Sequence, residues 1–205
     1  MKKILIIPLL LLSCAFVRAQ DMRSLFMSAP ESVLPLLTEN SRADCIDYID
    51  AGMEAVVTNS LDGKTVVKAL TDDYADIGMT GSSSLQMKLL PLQDGGRIIC
   101  VVKSVKAEAE NSHVAFYDLD WKPVVGKKLF EMPAIADFFV STDSAAKYID
   151  KCDMYLVKCS LSDGDLTLTA EYTMPSYMNI EDAMLVTPQL RKVVFLWDGR
   201  RFVRK

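Results

Sequence analysis

Four Asp-Gly pairs punctuate the chain, and they constrain its fold more than any other feature of the sequence. Asp-Gly tolerates the positive φ angles of tight hairpin turns, and the apolar residues between the pairs recur with a period of two. This pattern predicts antiparallel strands that reverse direction at each pair. The pairs are Asp62-Gly63, Asp94-Gly95, Asp163-Gly164 and Asp198-Gly199.

The apolar spacing predicts an α+β fold, with a mainly antiparallel β-sheet and two to four short helices packed on it. The order of helix, strands, helix and strands also suggests two similar halves, although no convincing sequence repeat accompanies it. The predicted strands are residues 54–58, 64–70, 74–80, 84–91, 97–105, 112–119, 153–161, 165–173, 192–197 and 200–204. The predicted helices are residues 22–27, 41–52, 142–151 and 178–184.

Residues 41–52 have the pattern of a helix that lies on a core. Ser41 is a suitable N-cap and Gly52 a suitable end. Apolar side chains fall on one arc and carboxylates on the other, so one side of the helix should be buried. The apolar arc consists of Cys45, Ile46, Ile49 and Met53, and the acidic arc of Asp44, Asp47 and Asp50.

Residues 1–19 have the three parts of a signal peptide, which are a basic start, an apolar stretch and small residues before a cut. Val17-Arg18-Ala19 predicts cleavage before Gln20, and 20–205 is then a single α+β domain. A second interpretation stays open, because Leu11-Leu12-Ser13-Cys14 resembles a lipobox in which Cys14 would carry a lipid anchor. Either way we expect an exported protein of the periplasm or outer cell envelope. No apolar run reaches the roughly 20 residues that span a bilayer, so an integral membrane protein is not expected.

The charge of the predicted mature chain argues against nucleic acid as a partner. Removal of Lys2, Lys3 and Arg18 leaves 20 basic side chains against 27 acidic ones, a net charge of −7. Phosphate backbones require clustered Lys and Arg and are repelled by an acidic surface.

Four cysteines remain in the predicted mature chain, and their state is open. They allow three pairings, and an exported protein can form disulfides. Each also sits among apolar neighbours, as a small buried side chain would. No CxxC spacing suggests a redox or zinc site. The four are Cys45, Cys100, Cys152 and Cys159.

The sequence contains no concentrated catalytic signature, so we predict no catalytic, cofactor-binding or metal-binding residue. His113 is the single histidine and lies in a predicted strand, where a surface position is the simplest interpretation. Residues 80–84 are rich in Gly and Ser but lack the Lys of a phosphate loop, which favours a turn. The acidic clusters, which are favoured as solvated turns, are Asp72-Asp73 with Asp76, Asp118 with Asp120, and Asp163 with Asp165.

Several apolar motifs resemble an uncharacterised exported bacterial family, domain of unknown function 3256. The resemblance covers nearly the whole predicted mature chain and implies export and a common fold. It implies no activity and no catalytic residue. The motifs are Met87-Lys88-Leu89-Leu90-Pro91-Leu92, Gly95-Gly96-Arg97-Ile98-Ile99-Cys100-Val101-Val102, Ser112-His113-Val114-Ala115-Phe116-Tyr117 and Trp121.

Two functional hypotheses remain. The favoured one is a non-enzymatic secreted or cell-envelope binding module that presents a sheet face or hairpin loops to a protein, peptide or glycan. The alternative is a hydrolase built from dispersed Asp and Glu carboxylates.

The C-terminal hairpin also has two interpretations. Phe195, Trp197 and Phe202 would either belong to a hairpin covered on both faces that closes the core, or form an exposed patch for a partner.

Overall fold

The computed structural model describes residues 20–126 and 128–205, so the predicted signal peptide and lipobox lie outside the described residues. The described strands form two antiparallel sheets, one of six strands in the order β1-β2-β3-β4-β5-β6 and one of four in the order β10-β9-β8-β7. The larger sheet comprises β1 (Ala55–Thr58), β2 (Lys64–Leu70), β3 (Tyr74–Thr80), β4 (Ser83–Pro91), β5 (Arg97–Lys106) and β6 (Glu110–Tyr117). The smaller sheet comprises β7 (Val157–Leu161), β8 (Thr167–Tyr172), β9 (Val193–Trp197) and β10 (Phe202–Arg204).

Four α-helices accompany the sheets in the described part of the chain, and together these elements confirm the predicted α+β class. The idea of two similar halves stays a prediction, since the sheets differ in strand number. The helices are α1 (Met22–Ser28), α2 (Glu39–Asp50), α3 (Thr142–Tyr148) and α4 (Ile180–Val186).

Each of the four Asp-Gly pairs lies in a turn between two paired strands of one sheet. Gly95 and Gly199 adopt φ angles of 85° and 90°, which explains why glycine is suited to these two turns. At the first turn the aspartate itself, Asp62, takes the left-handed conformation, with φ 57°. The hairpin prediction is therefore confirmed, although the positive φ comes from different members of the pair and neither Asp163 nor Gly164 adopts one.

Helix α2 begins earlier than predicted. Its N-cap is Thr38, whose hydroxyl accepts a hydrogen bond from the N–H of Ser41 at 3.1 Å. Thr38 and Ser41 are both suitable caps, and the structure uses the first, so Ser41 becomes part of the first turn. Cys45 is buried as predicted, whereas Met53 is 54% exposed because it follows the end of the helix.

Helices pack on one face of the larger sheet, and the smaller sheet packs on part of the other face. Residues of α1, α2 and the segment between them pack against β1 to β5 in one hydrophobic cluster. A second cluster joins the opposite face of the larger sheet to the smaller sheet. The smaller sheet does not cover its face completely, and the uncovered part contains the candidate site.

Strand β7 crosses the larger sheet instead of extending it. Its edge N–H groups donate to side chains of two different strands: Val157 to Asn111 Oδ1 at 3.1 Å and Cys159 to Ser112 Oγ at 2.9 Å on β6, and Leu161 to Gln86 Oε1 at 2.9 Å on β4. These bonds satisfy backbone donors at a sheet edge, where unpaired groups would otherwise be costly.

The C-terminal hairpin belongs to the core. Phe195, Trp197 and Phe202 are 7%, 4% and 5% exposed, so they do not form an exposed aromatic patch on the described surface. The expectation that both faces of the hairpin are covered is also wrong. Leu196 is 41% exposed, because only one face of β9 packs against the larger sheet. In addition, β10 is an edge strand.

The four cysteines are buried and free of disulfides. Cys159 Sγ lies 3.9 Å from Met132 Sδ, and Cys159 belongs to the hydrophobic cluster between the two sheets. Of the two interpretations that the sequence left open, the structure has the one in which the thiols are buried side chains. Among the described residues, no helix combines the length and apolar character needed to cross a membrane.

Candidate functional site

A trough of about 400 Å³ lies on the part of the larger sheet that the smaller sheet leaves uncovered. We call it the lysine trough. Its floor is a row of small residues, in which Gly78 pairs with Ser84 and Ser84 pairs with Ser104 on successive strands. The residues that line it are Lys64, Val66, Lys68, Gly78, Thr80, Gly81, Ser82, Ser83, Ser84, Ser104, Val105, Lys106 and Glu110.

Gly78 keeps the middle of the floor low. A Cβ placed on Gly78 would lie 3.5 Å from Lys68 Cε and 3.8 Å from the carbonyl oxygen of Val66, which are ordinary contact distances. The backbone therefore does not require glycine here, and glycine inside a strand usually lowers stability. What the missing side chain provides is open space above the floor.

Three lysines surround this floor. Lys64 and Lys68 come from β2 and Lys106 from the end of β5, and all three are exposed. Within residues 20–126 and 128–205, none of them forms an ion pair. The lining carboxylate, Glu110, is instead paired with Lys158 at 2.5 Å. The trough is therefore a locally cationic site.

Hydroxyl groups complete the lining. Thr80 Oγ1 and Ser83 Oγ lie 2.7 Å apart, and Ser104 Oγ and Ser112 Oγ also lie 2.7 Å apart. A hydroxyl can donate one hydrogen bond and accept two, so each pair retains capacity for a ligand. Cations and hydroxyls together can bind carboxylate, phosphate or sulfate oxygens.

The sequence placed residues 80–84 in a turn, and they do form the β3–β4 hairpin turn and its flanks. This turn contains no lysine. The lysines near it were not identified from the sequence, because they come from strands β2 and β5. One local signal was present: Lys64, Val66 and Lys68 alternate along a strand and therefore project two cations from one side of it. Nothing local linked them to Lys106.

His113 is exposed on β6, where it lies opposite Lys103. This agrees with the surface position inferred from the sequence. The described residues contain no group of three or more His, Cys, Asp or Glu side chains arranged to hold a metal ion.

The predicted acidic clusters stabilise turns and ion pairs. Asp118 Oδ1 accepts hydrogen bonds from the N–H groups of Asp120 and Lys122. Asp165 accepts from the hydroxyl and N–H of Thr167, and hydrogen bonding from Thr167 lowers its pKa. Asp73 pairs with Lys88 at 2.9 Å.

Among the described residues, five aspartates have pKa values shifted by their surroundings, and all five shifts are downward. Hydrogen bonds to cationic side chains, hydroxyls or backbone N–H groups cause them. A general acid near neutral pH needs the opposite shift, so these five carboxylates have the character of structural anions. They are Asp50, Asp137, Asp165, Asp182 and Asp198.

Two antiparallel sheets and four α-helices define an α+β class of protein, and an open trough lined by three lysines lies on its larger sheet. The chain belongs to the family described as "Protein of unknown function (DUF3256)", whose profile matches residues 14–202. This confirms the resemblance noted in the sequence.

A solved structure, described as that of a domain of an uncharacterized protein from Porphyromonas gingivalis W83, is similar to this chain. The two share 26% sequence identity with a TM-score of 0.76, over 91% of this chain and 98% of that one. No curated protein matches the sequence.

Proposed function

We propose that this protein is a non-enzymatic exported binding module of the cell envelope, and that the lysine trough binds an anionic ligand. The observation that supports this proposal is the group of three unpaired lysines in a chain whose predicted mature charge is −7. Elsewhere in the described residues some cations are paired with carboxylates, as Lys158 is with Glu110 and Lys192 with Glu171. A ligand with negative charge would complete the same pairing in the trough.

The carboxylates near the trough favour binding over hydrolysis. Glu110, the carboxylate in the lining of the trough, forms an ion pair with Lys158. Asp76 accepts a hydrogen bond from Gln86 Nε2 at 3.5 Å. A glycosidase needs two carboxylates facing each other across a substrate, one of them with a raised pKa. The hydrolase alternative therefore has no specific support from the trough.

Export is part of the proposal and rests on the sequence of residues 1–19. A soluble periplasmic form that begins at Gln20 and a form anchored through a lipid on Cys14 are both compatible with an open trough. Mass spectrometry of the N-terminal peptide of the exported protein separates them. An unmodified peptide beginning at Met1 would contradict export.

Ligand binding can be tested by NMR titration of the ¹⁵N-labelled mature protein with polyaspartate, polygalacturonate and inorganic phosphate. We expect at least one of these anions to shift the amide signals of Gly78, Ser84 and Ser104, and the effect to weaken as salt screens the charges. Replacing Lys64, Lys68 and Lys106 with Gln should abolish the shifts.

Lys147→Gln is the matched control, because Lys147 is an exposed lysine on α3 that does not line the trough. The amide signal shifts of this variant during the titration should equal those of the wild type. Shifts scattered over the surface, or equal loss in the Lys147→Gln variant, would contradict the proposal.

A further inference from the structure

We infer that the ligand of the lysine trough is an acidic peptide segment in an extended conformation; this inference rests on the proposed function. Three features carry it: the spacing of the cations, the hydroxyl-lined floor and the composition of the lining.

The lysines are spread over the trough. Lys64 and Lys68 lie on β2 and Lys106 on β5, with β3 and β4 between them. Three strand spacings of about 4.8 Å separate β2 from β5, which is about 14 Å. A ligand that contacts both sides at once must extend over a similar distance, which corresponds to about four residues of extended peptide. A single phosphate or carboxylate group is much smaller than this.

The floor fits a peptide backbone. Ser84 and Ser104 are neighbours in register, and Ser104 shares its hydroxyl with Ser112 at 2.7 Å. Hydroxyls act as both donors and acceptors, and a peptide presents alternating N–H and C=O groups along its length. Gly78 leaves room for the chain to cross the middle of the floor.

The remaining lining favours a peptide over an acidic polysaccharide. None of the described residues that line the trough is aromatic, so the trough offers no flat ring on which a sugar could stack. It offers instead the aliphatic side chain of Val66, which lies between Lys64 and Lys68 on the same face of β2. An aliphatic group between cations matches a peptide in which acidic and small apolar side chains are mixed.

Fluorescence anisotropy with a labelled eight-residue peptide of alternating Asp and Ala tests the inference, and the Asn and Ala version is the uncharged control. We expect the acidic peptide alone to bind the mature protein. Gly78→Val should weaken binding at least about tenfold, equivalent to about 1.4 kcal/mol, because its side chain fills the floor. Lys106→Glu should weaken it similarly, whereas Lys147→Glu should not.

Gly78→Val is suited to this test because the position tolerates a Cβ and valine favours strands. A thermal melt equal to the wild type shows that the variant is folded, and Gly78→Ala provides a smaller filling if it is not. Peptide binding that both Gly78 variants leave unchanged would overturn the inference, because the peptide would then lie elsewhere.

Two further probes separate this inference from the proposed function. If polygalacturonate or inorganic phosphate binds in a Gly78→Val-sensitive manner and the acidic peptide does not, the trough is an anion site but the peptide assignment is wrong. If none of the three probes binds, both the peptide assignment and the proposed function are overturned.

Discussion

The side-chain carbonyl of Gln86 accepts a hydrogen bond from the backbone N–H of Leu161 at 2.9 Å, and this bond fixes the end of β7 to the face of the larger sheet. Ser112 does the same for Cys159 at 2.9 Å. An edge strand normally exposes its N–H groups, but here polar side chains of the larger sheet accept hydrogen bonds from them.

Replacing Gln86 with Ala should therefore destabilise the protein by about 1–3 kcal/mol, because the Leu161 N–H loses its partner in a partly buried place. Ser112→Ala should act in the same direction. Ser82→Ala, in the exposed β3–β4 turn, is the control and should change stability by less than about 0.5 kcal/mol. Chemical denaturation provides the measurement, and equal stability of Gln86→Ala and Ser82→Ala would contradict the role given to this bond.

The ion pair between Lys88 and Asp73 should lose different amounts of stability depending on which partner is replaced. Lys88 is 2% exposed, and its Nζ lies 2.9 Å from Asp73 Oδ2 and 2.7 Å from the carbonyl oxygen of Asp163. Asp73→Asn leaves a buried ammonium without its counter-ion, whereas Lys88→Met removes the charge and keeps the aliphatic stem. Loss of one partner of a fully buried pair costs about 3–5 kcal/mol, and the cost here should be smaller because Asp73 is 49% exposed, while apolar replacement of the lysine is often much milder.

We therefore expect Asp73→Asn to lower the free energy of unfolding more than Lys88→Met does. Urea denaturation of both single variants and of the double variant measures the difference. Asp120→Asn is the control for loss of an exposed pair, since Asp120 and Lys122 are 75% and 76% exposed. A Lys88→Met variant less stable than Asp73→Asn would show that Lys88 acts mainly through the Asp163 carbonyl.

The sequence predicted the local parts of this fold well because they depend on local signals. The Asp-Gly pairs specify hairpins through positive φ angles, as at Gly95 and Gly199, and alternation specifies the strands between them. The crossing of β7 over the larger sheet could not be predicted in this way, because Gln86 and Leu161 are far apart in the chain and neither has a distinctive neighbourhood.

The candidate site was missed for the same reason. Lys64 lies on β2 and Lys106 on β5, and β3 and β4 lie between these two strands. The two lysines line one trough only because of this strand order. The aromatic residues of the C-terminal hairpin differ from the lysines, because they stand close together in the sequence. Their pattern was visible in the sequence, but burial of Trp197 follows from how the two sheets pack.

The buried thiols predict a loss of stability at alkaline pH. Burial and the nearby Asp44 carboxylate raise the pKa of Cys45 from 9.0 to about 11, and burial raises the pKa of Cys159 to about 12. Since the unfolded chain releases these protons at lower pH than the folded one, their contribution to stability is complete below pH 9.0. It is lost as pH rises toward the folded pKa values.

Thermal melting between pH 7.5 and 10.5 should therefore show a falling melting temperature above about pH 9. A Cys45→Ala, Cys159→Ala double variant should melt lower at neutral pH, because it loses core contacts, but should decline less steeply as the pH rises. The same steep decline in both proteins would contradict this account of the thiols.

Trp197 and Leu196 are adjacent on β9 but should respond differently to replacement by Ala. The indole N–H of Trp197 donates to the carbonyl oxygen of Pro91 at 2.6 Å, and its ring lies 5.3 Å from that of Phe202. Trp197 is 4% exposed and Leu196 41% exposed, because they lie on opposite faces of the strand. Removing a buried tryptophan side chain costs about 3–5 kcal/mol.

Trp197→Ala should therefore remove a large part of the free energy of unfolding, which is about 5–15 kcal/mol for a small domain. Leu196→Ala should lower that free energy by less than about 1 kcal/mol. Deletion from Lys192 onward removes β9 and β10 together and should abolish the cooperative thermal transition. Circular dichroism during heating measures all three variants. If the deleted protein melts cooperatively near the wild-type temperature, the hairpin does not contribute to the core as described, because removal of Phe195, Trp197 and Phe202 would have to expose the rest of their hydrophobic cluster without an energetic cost.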